Sequence, residues 1–262
     1  MTQAVHLNID PRGVATVTMN RPEVHNAFDD RLIAELTGKL RELDREHAIR
    51  VVVLAANGKS FSAGADLNWM KRMAQYSEGE NLRDAVGLAS LMHTLNDMTK
   101  PTVARVSGSA FGGGVGLVAA CDIAVAAKGA VFSLSEARLG LIPAVISPFV
   151  VAAIGERQAR RYFLTAERFD APEALRIGLV HRVVEDADLD AAVAAMVDEL
   201  LKGGPKAQAA AKDLIASVSN RPIDQRILED TAARIARIRV SPEGKEGIAA
   251  FLEKRAAGWA KP

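Results

Sequence analysis

The chain has 262 residues, 49% of them hydrophobic, which suits one large domain with a substantial core or one domain with a small appendage. Its 33 basic and 32 acidic residues leave a net charge of +1, without the clustered basic excess that a broad nucleic-acid surface needs. Cys121 is the lone cysteine, no apolar run reaches membrane-spanning length, and the first residues lack the regions of a signal peptide, so a soluble cytoplasmic protein is expected.

Val5–Ile9 and Val14–Met19 alternate as two strands around the turn Asp10-Pro11-Arg12-Gly13. A loop begins at Asn20-Arg21-Pro22. Asp29 or Asp30 then caps a helix whose Leu32, Ile33, Leu36 and Leu40 recur at helical spacing. Residues 51–55 predict a buried strand, which leads past Gly58 to the turn Phe61-Ser62-Ala63-Gly64-Ala65-Asp66. Residues 67–98 read as helix, broken near 77–80. Thr102–Val106 predicts another buried strand. Gly108-Ser109-Ala110-Phe111-Gly112-Gly113-Gly114 follows it and opens a short helix to Ala120. Residues 122–126 and 131–134 read as strands. From about Ser147 the pattern turns helical: Pro172 opens one helix that Gly178 ends, 189–201 is amphipathic, and Gly203-Gly204-Pro205 breaks it. Two or three helices close the chain. Such repetition predicts an α/β architecture with largely parallel strands. The shift to helix alone divides a core, 1–200, from a helical C-terminal part, 201–262. That part is too small for its own core and is expected to pack on the main body or on another subunit.

Each glycine turn stands between a strand and a helix, which leaves helix N-termini with unpaired N–H groups. Two such groups aimed at one point would form an oxyanion hole. Glu136, twenty-two residues beyond Gly114, is the candidate base; alternatively it is a helix-start acid after Ser133 or Ser135. Asp66 reads as a structural first-turn acid. Trp69, Met70 and Met73 either pack in the core or line a pocket beside the first turn. His25, His93 and His181 have no partners at metal-ligand spacing. Gly114-Val115-Gly116-Leu117-Val118-Ala119 matches the dinucleotide pattern G-x-G-x-x-A, but about eight residues separate Gly113 from Cys121, too few for the crossover helix such a site needs.

Taken in order, several segments resemble the enoyl-CoA hydratase/isomerase family, the crotonases, over nearly the whole chain. They are Asn20-Arg21-Pro22 with Asn26-Ala27-Phe28, the two glycine turns, Lys100-Pro101, Cys121-Asp122-Ile123, Glu136-Ala137-Arg138-Leu139-Gly140, and Phe251-Leu252-Glu253-Lys254-Arg255. Leu67-Asn68-Trp69-Met70 and Ile142-Pro143-Ala144-Val145-Ile146-Ser147-Pro148-Phe149 are most similar to bacterial methylglutaconyl-CoA hydratases and their carboxygeranoyl-CoA relatives. The resemblance implies a crotonase-like spiral of repeated ββα units with a helical C-terminal oligomerisation region, assembled as homotrimers or hexamers. It implies an acyl-CoA substrate, with no metal, no redox cofactor, no nucleic acid and no membrane. Ala65 and Gly113 would donate their N–H groups to the thioester oxygen. Arg21, Glu23, Ala27, Ala63, Asp66, Leu67 and Lys254 would contact CoA, Lys254 from a neighbouring subunit, and Trp69, Met70 and Pro143 would line the acyl pocket.

Glu136 matches one of the family's two catalytic glutamates, and the other position is Gly116. With one acid, Glu136 would have to deprotonate water and also return the proton to the α-carbon. A substrate with its own carboxylate, such as 3-methylglutaconyl-CoA, would explain the exchange: glycine removes a like charge and makes room, and Arg138 could pair with that carboxylate. The implied function is syn addition of water to a 2-enoyl-CoA. An enoyl-CoA isomerase with Glu136 as a single proton shuttle, and a non-catalytic acyl-CoA binding protein, are the alternatives.

Overall fold

In the computed structural model, which describes residues 3–260, β1 (Val5–Ile9) and β2 (Val14–Met19) form the expected antiparallel pair. Asp29, rather than Asp30, caps α1 (Asp30–Arg45), accepting from the Leu32 N–H. β3 (Val51–Ala56) is followed by the short β4 (Ser60–Ser62), then α2 (Leu67–Met73) and α3 (Glu78–Asn96). The break between these helices is a capping box, in which Ser77 and Glu80 satisfy each other's backbone N–H groups. β5 (Thr102–Val106), β6 (Ser109–Phe111) and α4 (Gly113–Ala120) come next, then β7 (Ile123–Ala127) and β8 (Val131–Ser133). α5 (Ser147–Thr165), kinked at Gly155, leads to β9 (Arg168–Asp170), α6 (Ala171–Arg176), β10 (Arg182–Val184) and α7 (Leu189–Lys202). Three helices close the chain: α8 (Pro205–Val218), α9 (Gln225–Val240) and α10 (Pro242–Leu252).

The strands form two sheets, ordered β1-β2-β3-β5-β7-β10 and β4-β6-β8-β9. The larger sheet is parallel from β2 to β10. At the centre of this sheet both faces are covered, so β3 is continuously apolar rather than alternating and is buried along its length. Val52 and Leu54 join the core that holds Leu32, Leu36 and Leu40 of α1. Val51 and Val53 point the other way, into a second core with Leu189, Val193 and Val197 of α7. Burying each such side chain is worth about 1.5–3 kcal/mol.

The sequence reading missed β4, β6, β9 and β10. Each has three residues, too few to display a period of two. β4 and β6 lie at the glycine turns themselves, so the polypeptide crosses from the large sheet to the small one before each turn.

No side chain of α8 or α9 is buried within this chain. The C-terminal part is nevertheless fastened to the body. Arg50 donates to the carbonyls of Gly203 (2.8 Å) and Trp259 (3.0 Å), and Lys212 reaches Asp122 at 2.6 Å. Ile223, Leu228, Ile235 and Val240 remain exposed. Among the described residues, no helix is long and apolar enough to cross a membrane.

Candidate active site

Three neighbouring parallel strands of the small sheet, β4, β6 and β8, bring three groups to one place at their carboxyl ends, where open parallel sheets hold ligands. After β4 comes the turn carrying Ala65. The Phe28 N–H donates to the Gly64 carbonyl (2.7 Å) and the Asp66 N–H to the Phe28 carbonyl (2.8 Å). Ala65 is pinned on both sides, while its own N–H has no partner among the described residues. Gly64 has φ +87, and a Cβ there would stand 3.1 Å from the Phe111 carbonyl oxygen, so the two turns touch through backbone.

After β6, Gly112 donates to the Ser133 carbonyl at 2.9 Å and turns the chain with φ +49 into α4. Gly113 is the first residue of α4, so its N–H lacks an intrahelical acceptor, and none is supplied from elsewhere among the described residues. A Cβ on Gly113 would stand 3.0 Å from Phe28 Cε2. Phe28 therefore holds both turns, the first by its main chain and the second by its ring.

After β8 a short turn, Ser135–Leu139, carries Glu136. Its Oε1 lies beside Gly112, and its Oε2 is buried without a hydrogen-bond partner among the described residues. Burial raises its proton affinity above the ordinary glutamate value, opposed only by a bond to its own backbone. Both free N–H groups and this carboxylate line one cavity of about 680 Å³. Its walls are otherwise mostly apolar, with Met73, Leu88, Leu141 and Ile146 among them. A carboxylate without a partner in such surroundings is a strong acceptor for the proton of a bound water.

The cavity also takes in Ala63, Leu67, Trp69, Met70 and Pro143. Arg21, Glu23, Ala27, Asp66 and Lys254, expected at CoA, do not line it. Arg21 is occupied within its own chain: it donates to the Ala27 carbonyl (2.7 Å) and pairs with Asp29 (2.9 Å) and Asp66 (3.2 Å). Asp66 is the N-cap of α2, accepting from the N–H groups of Asn68 and Trp69. Burial alone would raise its pKa, but those N–H groups and Arg21 together hold it below the usual aspartate value. Lys254 is exposed just beyond α10.

Gly116 corrects an expectation. It does not line the cavity and offers no room for a substrate carboxylate. A Cβ there would overlap Ile146 Cγ2 and stand 3.2 Å from Met92 Cε, so hydrocarbon fills the space into which a second acid would project. Arg138 is exposed and also absent from the lining. The dinucleotide pattern fails as the spacing predicted, since α4 has eight residues and β7 begins at Ile123.

Two polar lining residues of α3 escaped the sequence reading, Asn81 and Asp84, as did Ser135 beside Glu136. With Ala85 and Leu88, Asn81 and Asp84 occupy positions i, i+3, i+4 and i+7, one helical face. That spacing was present in the sequence, but only docking of α3 shows that this face meets the cavity.

The profile of the family described as Enoyl-CoA hydratase/isomerase matches residues 10–262. An enoyl-CoA hydratase of Alternaria alternata is 33% identical over 252 residues, covering 93% of this chain and 80% of that protein. The crystal structure of an enoyl-CoA hydratase from Shewanella pealeana superposes with a TM-score of 0.95 at 48% identity, covering 98% of this chain and 96% of that one. The enoyl-CoA hydratase of Mycobacterium smegmatis superposes with a TM-score of 0.93 at 33% identity, covering 99% and 100%.

Proposed function

The chain belongs to the enoyl-CoA hydratase/isomerase family, and we propose that it adds water across the double bond of a 2-enoyl-CoA with Glu136 as its base. The observation that carries this reading is the unpartnered Glu136 carboxylate sharing one apolar cavity with the free N–H groups of Ala65 and Gly113. The thioester oxygen accepts from both N–H groups. Glu136 takes a proton from water, the resulting hydroxyl adds to the β-carbon, and the electron pair of the double bond moves onto the thioester oxygen. The enolate collapses, and Glu136 returns its proton to the α-carbon from the same face. Each oxyanion donor is worth about 2.7–4 kcal/mol, and a placed general base about 10²–10⁴-fold in rate.

The lining favours an uncharged acyl chain. Among the described residues no Lys or Arg lines it, while Glu136 and Asp84 do. A carboxylated chain such as 3-methylglutaconyl-CoA draws its support from the resemblance of Leu67–Met70 and Ile142–Phe149 alone. Loss of the conjugated thioester absorbance, followed with crotonyl-, 3-methylcrotonyl- and 3-methylglutaconyl-CoA, tests both levels, with Glu136→Gln as the control. Tight binding without turnover would mark a non-catalytic acyl-CoA binding protein.

A second reading has its own support. Ile146 fills the place of a second acid, and a single carboxylate suits an isomerase that shuttles one proton between carbons. Solvent ¹⁸O in the product belongs to hydration and its absence to isomerisation.

The assembly we infer is a cytoplasmic homotrimer or hexamer, in which a neighbour covers the exposed apolar residues of α8 and α9 and Lys254 reaches CoA across the interface. Sedimentation velocity tests the stoichiometry.

A further inference from the structure

Asn26 stands two residues before Phe28 and is fully buried. It is the second of two successive residues in the left-handed backbone region, His25 (φ +55) and Asn26 (φ +53). Asparagine enters that region more readily than most residues that carry a side chain. Its Nδ2 donates to the carbonyls of Asn57 (2.8 Å) and Ser60 (2.9 Å), and its Oδ1 accepts from the Arg21 N–H (2.8 Å). Two carbonyls at one end and an N–H at the other fix the orientation of the amide. The side chain thereby ties the Arg21 loop to the polypeptide that leaves β3 and enters β4. The main chain extends the link. The Asn26 carbonyl accepts from the Ser62 hydroxyl at 2.9 Å, and the His25 carbonyl accepts from the Ala63 N–H at 2.9 Å. Ser62 is also fully buried, and its Oγ accepts in turn from the Gly64 N–H at 3.3 Å. A Cβ on Gly114 would stand 2.8 Å from the Ser62 carbonyl oxygen and 3.0 Å from the Ser62 Cβ, so Ser62 touches the second glycine turn as well.

We propose that Asn26 is a positioning residue for the oxyanion hole: through Ser62 and Phe28 it sets the spacing of the Ala65 and Gly113 N–H groups around the thioester oxygen. Phe28 holds the first turn by its main chain and the second by its ring, and Asn26 fixes the stretch that carries Phe28 against β4. A buried polar cluster with every bond made has one favoured arrangement, because any displacement leaves a buried donor or acceptor unpaired. An aspartate of the same shape lacks both donors. Asn26 does not line the cavity, so it acts on the reaction from behind the turns. The proposal rests on the oxyanion-hole reading above and names what holds that hole in shape.

Infrared spectra of bound hexanoyl-CoA, labelled with ¹³C at its carbonyl, read the polarisation of a thioester that cannot be hydrated. Steady-state kinetics with crotonyl-CoA read the reaction. Asn26→Gly keeps the left-handed turn and removes the amide, while Ser62→Ala keeps Asn26 and removes the bridging hydroxyl. Leu43→Ala, buried about three and a half turns along α1, is the control for lost stability alone. In the parent the carbonyl band lies below that of the free thioester. In Asn26→Gly and Ser62→Ala it moves back towards the free position, kcat falls about tenfold to hundredfold, and KM changes by less than about twofold. In Leu43→Ala the band and kcat stay at the parent's values. Should Asn26→Gly fail to fold, Ser62→Ala decides alone. The proposal is overturned if variants that melt cooperatively keep the parent's band and kcat, or if Leu43→Ala moves the band as far as they do. A parent band at the free position removes the oxyanion hole and this proposal with it. The expected band shifts in a protein that hydrates no enoyl-CoA remove the hydratase reading and keep the role of Asn26.

Discussion

The Glu136 carboxylate rests against the bare Cα of Gly112: a Cβ built there would stand 3.0 Å from Oε1 and 3.7 Å from Cδ. Gly112 also turns the chain with φ +49 immediately before Gly113, the proposed oxyanion donor. Gly112→Ala therefore strains the turn and displaces the base together. The expected loss of stability is about 1–3 kcal/mol, and kcat/KM falls on the order of tenfold to hundredfold. Thermal melting and steady-state kinetics measure the two effects. Unchanged kinetics would mean that the base does not act from beside Gly112.

Glu136→Gln separates stability from activity. Burial raises the proton affinity of Glu136 in the folded state, so the folded protein keeps this proton to higher pH than the unfolded chain does. Between the ordinary glutamate value and the raised one, the folded state binds more protons, and stability falls as pH rises. Above that window the neutral variant is free of this cost and melts at a higher temperature than the parent, while its kcat drops about 10²–10⁴-fold. The parent's kcat/KM rises with pH through the same raised value. Melting curves and a pH–rate profile test the pair of effects.

Gly116→Glu does not restore a second acid. Ile146 and Met92 occupy the space, and even Gly116→Ala costs about 1–3 kcal/mol by overpacking. Adding Ile146→Ala recovers part of that loss. Gly116→Glu lowers activity equally on carboxylated and uncarboxylated enoyl-CoAs, because its effect is steric. A selective loss on the carboxylated substrate would bring the charge explanation back.

Asp66→Ala removes the cap of α2 and a partner of Arg21, which is expected to cost about 1–2 kcal/mol. The folded-state pKa of Asp66 lies below its unfolded value, so its contribution is present above the unfolded value and is lost as pH falls through the folded one. The difference in melting temperature between parent and variant should therefore shrink on acidification. A difference independent of pH would indicate that Asp66 acts through packing rather than charge.

Periodicity and glycine placement in the sequence determined the long elements, because a buried strand or an amphipathic helix writes its environment into each turn of the chain. They also marked both turns of the proposed oxyanion hole, since a positive φ and close neighbours call for glycine, as at Gly64 and Gly112. Of the short strands β4, β6 and β8 that align Ala65, Gly113 and Glu136, β8 was legible and β4 and β6 were not. Their stability comes from pairing partners distant in the chain rather than from local preference. The tertiary structure alone decided what surrounds each position. Gly116 looked like a vacancy until Ile146 was seen to fill it, and Asp84, to which the sequence reading gave no role, is brought beside Trp69 by the docking of α3. Burial and charge environment are properties of what packs together, and residues distant in sequence supply them.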